Sequence, residues 1–122
     1  MILGRVSDQE ARIKLTVRSL AGFEEEIDAV IDTGFTDWLT IPTWMVGLLG
    51  LPFAGSIRTF LADGSSVEVN VYLILVDWDG RTIEVSVLAM DSIPLVGMTL
   101  LEGCRLTIEA TEGGLVTIEP IA

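Results

Sequence analysis

The chain has 122 residues, half of them apolar, and a formal net charge of −11 from 18 acidic and 7 basic residues. This acidity argues against a nucleic-acid partner, because phosphate backbones repel a negatively charged surface. The absence of histidine excludes catalytic relays that need an imidazole and zinc sites that use one. Any catalysis must therefore rest on carboxylates, hydroxyls, Lys14 or Tyr72.

The length predicts one domain over residues 1–122, with enough chain to enclose a single hydrophobic core. No uninterrupted apolar stretch reaches the roughly 18 residues that a membrane helix needs, so no membrane partner is expected. The amino terminus lacks the basic and long apolar regions of an export signal, which favours a cytoplasmic protein. The lone cysteine, Cys104, cannot form an intrachain disulfide and is expected to pack as a small apolar side chain.

Strands dominate the first half of the predicted structure. Apolar and polar residues alternate over Ala11–Val17, and a second strand runs from Phe23 into the denser apolar run that ends at Ile31. A third strand covers Trp38–Ile41 and is stopped by Pro42. The pattern then favours a short helix over Thr43–Leu49.

Two hairpins are predicted in the second half, followed by a short helix and a last pair of strands. The predicted segments are Ser56–Leu61 with Val67–Tyr72, Val71–Val76 with Thr82–Leu88, the helix Met98–Gly103, and Arg105–Glu109 with Leu115–Glu119. Trp38, Trp44 and Trp78 are expected to be packing or interface residues, and the position of Trp78 beside the Asp79-Gly80 turn also allows exposure. Many short strands with regularly spaced turns predict an all-β domain, closed or sandwiched, with one or two short helices.

One acid stands apart from the others, which mostly lie in hydrophilic or turn segments. Asp32-Thr33-Gly34 follows the apolar run Ala29-Val30-Ile31 directly, so a carboxylate is placed where a buried strand turns into a loop. Such a position is costly for folding and useful for proton chemistry. The tripeptide occurs once, which indicates that two chains share one site. An ordinary Asx-type surface turn is the alternative interpretation.

In order along the chain, these segments resemble the retropepsin-like aspartic proteases, the single-lobed relatives of pepsin. Ala29–Gly34 resembles their catalytic turn, and Phe35–Pro42 is similar to the continuation in prokaryotic members. Phe60–Ser65 lies where the family carries its flap hairpin. Leu95–Leu101 resembles the second signature, which passes behind the active-site loop into a helix. The resemblance spans roughly Ala11–Glu119.

The resemblance implies a closed acid-protease barrel, one lobe per chain, and a homodimer that hydrolyses extended polypeptides. Two carboxylates sharing a proton can activate water and protonate the peptide carbonyl, and pepsin and the retroviral enzyme are the established examples. Neither cofactor nor metal is expected. The implied site residues are Asp32, Thr33 and Gly34 in the catalytic turn, Leu61, Ala62, Asp63, Gly64 and Ser65 in the flap, and Leu95, Val96 and Gly97 in the second signature.

The terminal strands of relatives form the dimer interface, so Leu115–Pro120 and the segment before Arg12 are expected to contribute to dimerisation by edge pairing. The sequence departs from the family at Thr99, where many relatives have Asp or Asn, and at Phe35, where viral members prefer Ala or Ser. A non-catalytic peptide-binding or dimerisation module with the same fold is the alternative function. A structural protein that uses the paired acids only as an interface is the third.

Overall fold

The computed structural model describes all residues from Met1 to Ala122, and strands account for most of them. The elements in chain order are β1 (Ile2–Ser7), β2 (Glu10–Arg18), β3 (Glu24–Ile31), β4 (Leu39–Ile41), α1 (Thr43–Leu49), β5 (Phe53–Phe60), β6 (Ser66–Trp78), β7 (Arg81–Ala89), β8 (Leu95–Val96), α2 (Met98–Leu101), β9 (Cys104–Ile108) and β10 (Leu115–Pro120). The prediction of an all-β chain with one or two short helices is therefore confirmed, and the structure has two. The amino-terminal strand β1 was not predicted.

Alternation along β2 shows why these segments become strands. Ile13, Leu15 and Val17 are buried on one face, while Lys14 on the other face is exposed. Successive side chains of a strand point to opposite sides of the sheet, so this period-two pattern covers the core on one side only. The same face contributes to a cluster of 22 buried hydrophobic residues drawn from most strands and both helices.

The ten strands form one sheet in the order β5-β6-β7-β4-β8-β3-β2-β1-β10-β9. An additional pairing of β2 with β6 joins Val17 and Arg18 to Val76 and Leu75, so strands distant in this order meet again. Closure of the sheet into a barrel stays a prediction. Neither helix has the length and apolar character needed to span a bilayer.

The two predicted hairpins share a single long strand. β6 has 13 residues; its first part pairs with β5 and its second part with β7, while Val71 and Tyr72 pair on both sides. Trp78 ends this strand with only 5% of its surface exposed, which confirms the packing role predicted for it and not the exposure that the neighbouring turn allows. A turn signal identifies where a strand ends, but the side of the sheet on which its last side chain falls depends on register.

The pairing of β2 with β6 is held at its edge by an ion pair. The Arg18 guanidinium donates to both carboxylate oxygens of Asp77, with Nη2 2.6 Å from Oδ2, and the Thr82 hydroxyl lies 3.0 Å from Oδ1. These bonds, first those from Arg18 and then that from Thr82, hold the pKa of Asp77 below its ordinary value of 3.8. The ionised carboxylate is therefore the form that stabilises the fold.

We expect Asp77→Asn to lower the thermal midpoint at neutral pH, because Asn keeps the shape of the side chain but not its charge. A depressed folded-state pKa gives stability that is present above the unfolded value and lost as pH falls through the folded value. The difference in midpoint between wild type and variant should therefore shrink below pH 3.8. Thermal unfolding from about pH 2 to 7 measures it; a difference independent of pH would contradict this role of the charge.

Candidate active site

The candidate turn lies directly after β3, where the chain leaves the core. The Asp32 amide donates to the Val96 carbonyl at 2.9 Å, which extends the β3–β8 ladder by one residue. Asp32 Oδ1 accepts the Gly34 amide at 2.9 Å, so the tripeptide forms an Asx-type turn, and the hydrogen bonds of the chain leave Oδ2 free. The Asp32 side chain is half-buried, while Thr33 and Gly34 are exposed. The turn thus presents one carboxylate oxygen from a fixed backbone.

The second signature lies immediately beside this turn. β8 pairs in parallel with β3 through Val30–Leu95 and Ile31–Val96, and on its other side Val96 pairs with Leu39 of β4. The structure therefore brings the predicted Asp32 turn together with the predicted Leu95, Val96 and Gly97 segment. Residues more than 60 positions apart in the sequence form one three-stranded unit around the candidate acid.

Thr40 fixes one side of this unit from within the core. Its side chain is fully buried, and its hydroxyl oxygen accepts the Leu95 amide at 2.9 Å. A buried amide without a partner would cost stability. The Thr40 hydroxyl therefore gives the Leu95 amide the hydrogen-bond partner that strand pairing does not supply. β8 therefore keeps its place between β3 and β4.

Gly97 allows the closest approach in the site. A Cβ at this position would lie 2.1 Å from the Asp37 carbonyl oxygen and 2.7 Å from the Phe35 ring. The Gly97 amide donates to the Trp38 carbonyl at 3.0 Å, so the loop after Asp32 packs directly on the backbone of the second signature. The glycine is needed here for space, since its backbone is extended and not left-handed.

Thr99, a departure from the family pattern, braces the same loop. Its hydroxyl donates to the Thr36 carbonyl at 2.8 Å and its amide to the Asp37 carbonyl at 3.3 Å. The Met98 amide adds a bond of 2.8 Å to the Phe35 carbonyl. The start of α2 thus holds the segment that follows the Asp32 turn, and a threonine suffices for this function.

We expect Thr99→Val to loosen the loop, because valine keeps the volume of threonine but cannot donate to the Thr36 carbonyl. The loss should be about 0.5–1.5 kcal/mol of unfolding free energy, the usual net value of one hydrogen bond. Thr99→Ser keeps the hydroxyl and is the matched control. Urea unfolding of the three proteins measures the effect, and equal stability of Val and Ser variants would show that the bond contributes nothing.

The predicted flap residues form the tip of the β5–β6 hairpin. The Leu61 amide donates to the Ser65 carbonyl at 2.8 Å, and Asp63 Oδ1 accepts both the Ser65 hydroxyl at 2.5 Å and the Ser65 amide at 2.9 Å. These two bonds, the hydroxyl first, lower the pKa of Asp63. Gly64 has a φ of +86°, in the left-handed region that favours glycine.

The tip stands in solvent and is separate from the turn within one chain. Leu61, Ala62, Asp63, Gly64 and Ser65 are all exposed, and no hydrogen bond joins them to the Asp32 turn. Phe60, at the end of β5, is 74% exposed. Apolar side chains at this end of the hairpin are therefore free to contact another molecule.

A groove next to Thr33 was not predicted. It lies between the β1–β2 turn and the β9–β10 turn and is lined by Ile31, Thr33, Ile108 and the acidic residues Glu10 and Glu112. The two turns are tied together, since the Asp8 amide donates to Glu112 at 3.1 Å. No local sequence signal indicates this groove, because strand pairing of β1 with β10 creates it.

No cluster of three or more Cys, Asp or Glu side chains is arranged to hold a metal ion. The expectation that the protein uses no metal or cofactor stays a prediction.

Comparison with solved structures finds a similar fold in retroviral proteases. The chain is similar to EIAV protease in complex with the inhibitor HBY-793, with 15% sequence identity and a TM-score of 0.64 over 78% of this chain and 88% of that one. It is also similar to simian foamy virus (mac) protease, with 19% identity and a TM-score of 0.50 over 72% and 90%. No protein-family model and no curated protein matches the chain. The retropepsin-like fold predicted from the sequence is confirmed.

Proposed function

Because the chain has the retropepsin-like fold, we propose that it is a homodimeric aspartic endopeptidase in which Asp32 of each subunit supplies half of the catalytic pair. The observation that carries this proposal is the Asp32 turn itself. A carboxylate is anchored through Val96 and Gly34 at the end of a buried strand, with one oxygen free and the side chain half exposed. A chain with one such acid needs a second copy to place two together.

The chemistry follows from the two carboxylates. One ionised Asp32 accepts a proton from water, and the water oxygen attacks the carbonyl carbon of the peptide bond. Asp32 of the partner subunit, protonated, donates its proton to the carbonyl oxygen, which gives a tetrahedral diol. When the C–N bond breaks, the carboxyl group that took a proton from water passes it to the leaving nitrogen. The partner's carboxylate takes a proton from one hydroxyl of the diol, which becomes the new carboxylic acid, and the pair again holds one shared proton.

The bracing around the turn supports this role. Proton transfer requires acid and substrate to be held within hydrogen-bond reach, and small displacements reduce the rate strongly. Strand β8, Gly97 and the Thr99 hydroxyl fix the backbone on both sides of the turn. These three constraints hold the turn in one conformation, as proton transfer requires.

The substrate proposed is an extended polypeptide with apolar residues at the cleaved bond. The β5–β6 hairpin presents exposed apolar side chains, among them Ile57, Phe60 and Leu61. A hairpin that closes over an extended peptide contributes main-chain hydrogen bonds and excludes water. The apolar side chains would contact those of the peptide.

The test is cleavage of an unfolded polypeptide from about pH 4 to 7, the range in which a carboxylate pair sharing a proton works. New termini are identified by mass spectrometry at several protein concentrations. Because two chains form one site, we expect the activity per chain to rise with concentration until the dimer saturates. No cleavage at any concentration or pH would favour the non-catalytic peptide-binding module.

A further inference from the structure

A second cleft, which we call the tryptophan cleft, lies where the end of the β6–β7 hairpin meets α2 and the start of β9. Its volume is about 570 Å³, and it shares no residue with the groove beside Thr33. Most of its walls are apolar, formed by Trp38, Trp78, Ile83, Leu100, Cys104 and Pro120. Apolar walls with a few charged groups at the rim are the usual form of a small-molecule site.

The register of the β6–β7 hairpin brings an aromatic ring and a cation together on one side of the cleft. Trp78 and Arg81 are opposite each other in the ladder, so their side chains lie on the same face, and Ile83 follows on that face two positions later. Trp78 is buried, whereas Arg81 is exposed. The hairpin therefore contributes an apolar wall that ends in a guanidinium at the rim.

Cys104 and Pro120, opposite each other in the β9–β10 ladder, form another wall. β10 is fixed inside the sheet, since β1 and β9 occupy both of its sides. This corrects the expectation that Leu115–Pro120 contributes to dimerisation by edge pairing: strand order, which the sequence does not reveal, has left that segment without a free edge. The same strand order gives the tryptophan cleft a rigid wall.

Arg81 is the cation of the cleft that lacks an acidic partner. None of the ion pairs of the chain includes it, and the carboxylate of Asp79 in the adjoining turn is engaged by the Met1 amino group. A guanidinium can bind a carboxylate through two parallel hydrogen bonds. Glu102 also lies on the rim and is exposed, so its charge opposes an anionic ligand but is screened by water.

The cleft also adjoins the residues that brace the candidate active site. Thr99 lines it, and the Thr99 hydroxyl donates to the Thr36 carbonyl at 2.8 Å. Trp38 lines it too, and the Trp38 carbonyl accepts the Gly97 amide at 3.0 Å. A molecule in the cleft therefore contacts two residues that hold the loop after Asp32.

We propose that the tryptophan cleft binds a carboxylate carried on an aromatic or other apolar group. Arg81 bonds to the carboxylate, and the apolar group packs against Trp38 and Trp78. This inference goes beyond the proposed function and does not depend on it, because no residue of the cleft takes part in the Asp32 chemistry. The ligand chemistry has two sources, the C-terminal residue of a peptide and a free aromatic acid.

Tryptophan fluorescence tests the binding. The chain has three tryptophans, and Trp44, which is 62% exposed on α1, does not line the cleft. In a Trp44→Phe background the remaining emission therefore comes from the cleft alone. Titration with N-acetylphenylalanine, which represents a peptide end, and with 3-phenylpropionate, a free acid, should give a saturable change with a Kd of about 1 mM or lower.

The relative affinities of the two acids identify the source, since the tighter ligand represents the natural class. N-acetylphenylalanine amide has the same apolar group without the carboxylate and should bind at least about tenfold more weakly. No saturable change with either acid up to about 50 mM would overturn the proposal. Equal binding of the acid and the amide would also overturn it.

Arg81→Gln should weaken binding of the acid at least about tenfold, because it removes the charged hydrogen-bond donor. The matched control is Arg5→Gln, which changes the net charge equally at an exposed arginine of β1 that also lacks an ion pair. The control should leave the affinity unchanged. Glu102→Gln should tighten binding, since it removes a like charge from the rim. Equal affinities of the Arg81 and Arg5 variants would refute the assignment of Arg81.

The single cysteine provides an independent measure of where the ligand lies. Cys104 is half-buried in the wall of the cleft, so a bound ligand should shield it from alkylation by iodoacetamide. At ten times the Kd, alkylation should slow about tenfold, because only the free protein reacts. Binding without protection would place the ligand elsewhere and overturn the proposal. Binding by a chain that never cleaves peptides would leave the cleft standing and the enzyme wrong.

Discussion

Asp32→Asn should reduce peptide cleavage by at least about 10²–10⁴-fold, the usual contribution of general acid–base catalysis. Asparagine keeps the shape of the side chain and can still accept the Gly34 amide through its carbonyl oxygen, so the turn is preserved. It can neither take a proton from water nor return one to the substrate. The fold and self-association should therefore survive while the chemistry is lost.

Mixtures of wild type and Asp32→Asn test whether two chains share one site. If the site is shared, a heterodimer of wild type and Asp32→Asn has one working carboxylate and should be inactive. Equal amounts of the two chains, allowed to exchange, would leave about a quarter of the dimers with both acids. Activity should then fall with the square of the wild-type fraction.

Sedimentation of the mutant provides the control, since loss of activity is informative only if the mutant self-associates as wild type does. A linear dependence on the wild-type fraction would mean that each chain acts alone, which contradicts the shared site. Equal cleavage by wild type and Asp32→Asn would exclude Asp32 as the catalytic acid.

Gly97→Ala should have the largest effect on stability. Its Cβ would lie 2.1 Å from the Asp37 carbonyl oxygen, a backbone atom that cannot move without breaking the bond it accepts from the Thr99 amide and disturbing the neighbouring bond from the Gly97 amide to the Trp38 carbonyl. We expect a loss of more than about 3 kcal/mol in the free energy of unfolding, beyond the range of ordinary surface substitutions. Urea unfolding followed by tryptophan fluorescence measures the loss.

Gly47→Ala is the matched control. Gly47 lies in α1, and a Cβ there would meet no atom within 4 Å. Alanine is a better helix former than glycine, so this variant should gain about 0.5–1 kcal/mol. A Gly97→Ala protein as stable as wild type would show that the loop after Asp32 can move away, and that its packing against the second signature is not fixed.

Much of the fold was predictable because local patterns and global structure agree. Alternation along β2 and the apolar run before Asp32 each give a strand that the structure contains. The juxtaposition of Asp32 with Val96 was predicted through resemblance alone, since no local rule pairs residues so far apart.

The remaining features depend on strand order, which a single sequence does not encode locally. Whether β10 has a free edge depends on β1 and β9 binding to its two sides, and β1 lies at the opposite end of the chain. The bracing by Thr99 was also not predictable, because the carbonyl it reaches belongs to Thr36 in another loop. Such contacts become visible only when the register is known.

The pairing of the long strand β6 indicates which part of the β5–β6 hairpin can bend. The residues of β6 from Leu73 onward are clamped by β7, and Leu75 and Val76 by β2 as well, whereas Ser66–Asn70 are held by β5 alone. Val71 and Tyr72, which pair with both β5 and β7, mark the boundary between these two parts of β6. We therefore expect any bending of the hairpin to concentrate here, where the register shift between Phe53 and Gly55 lies opposite Val71 and Tyr72.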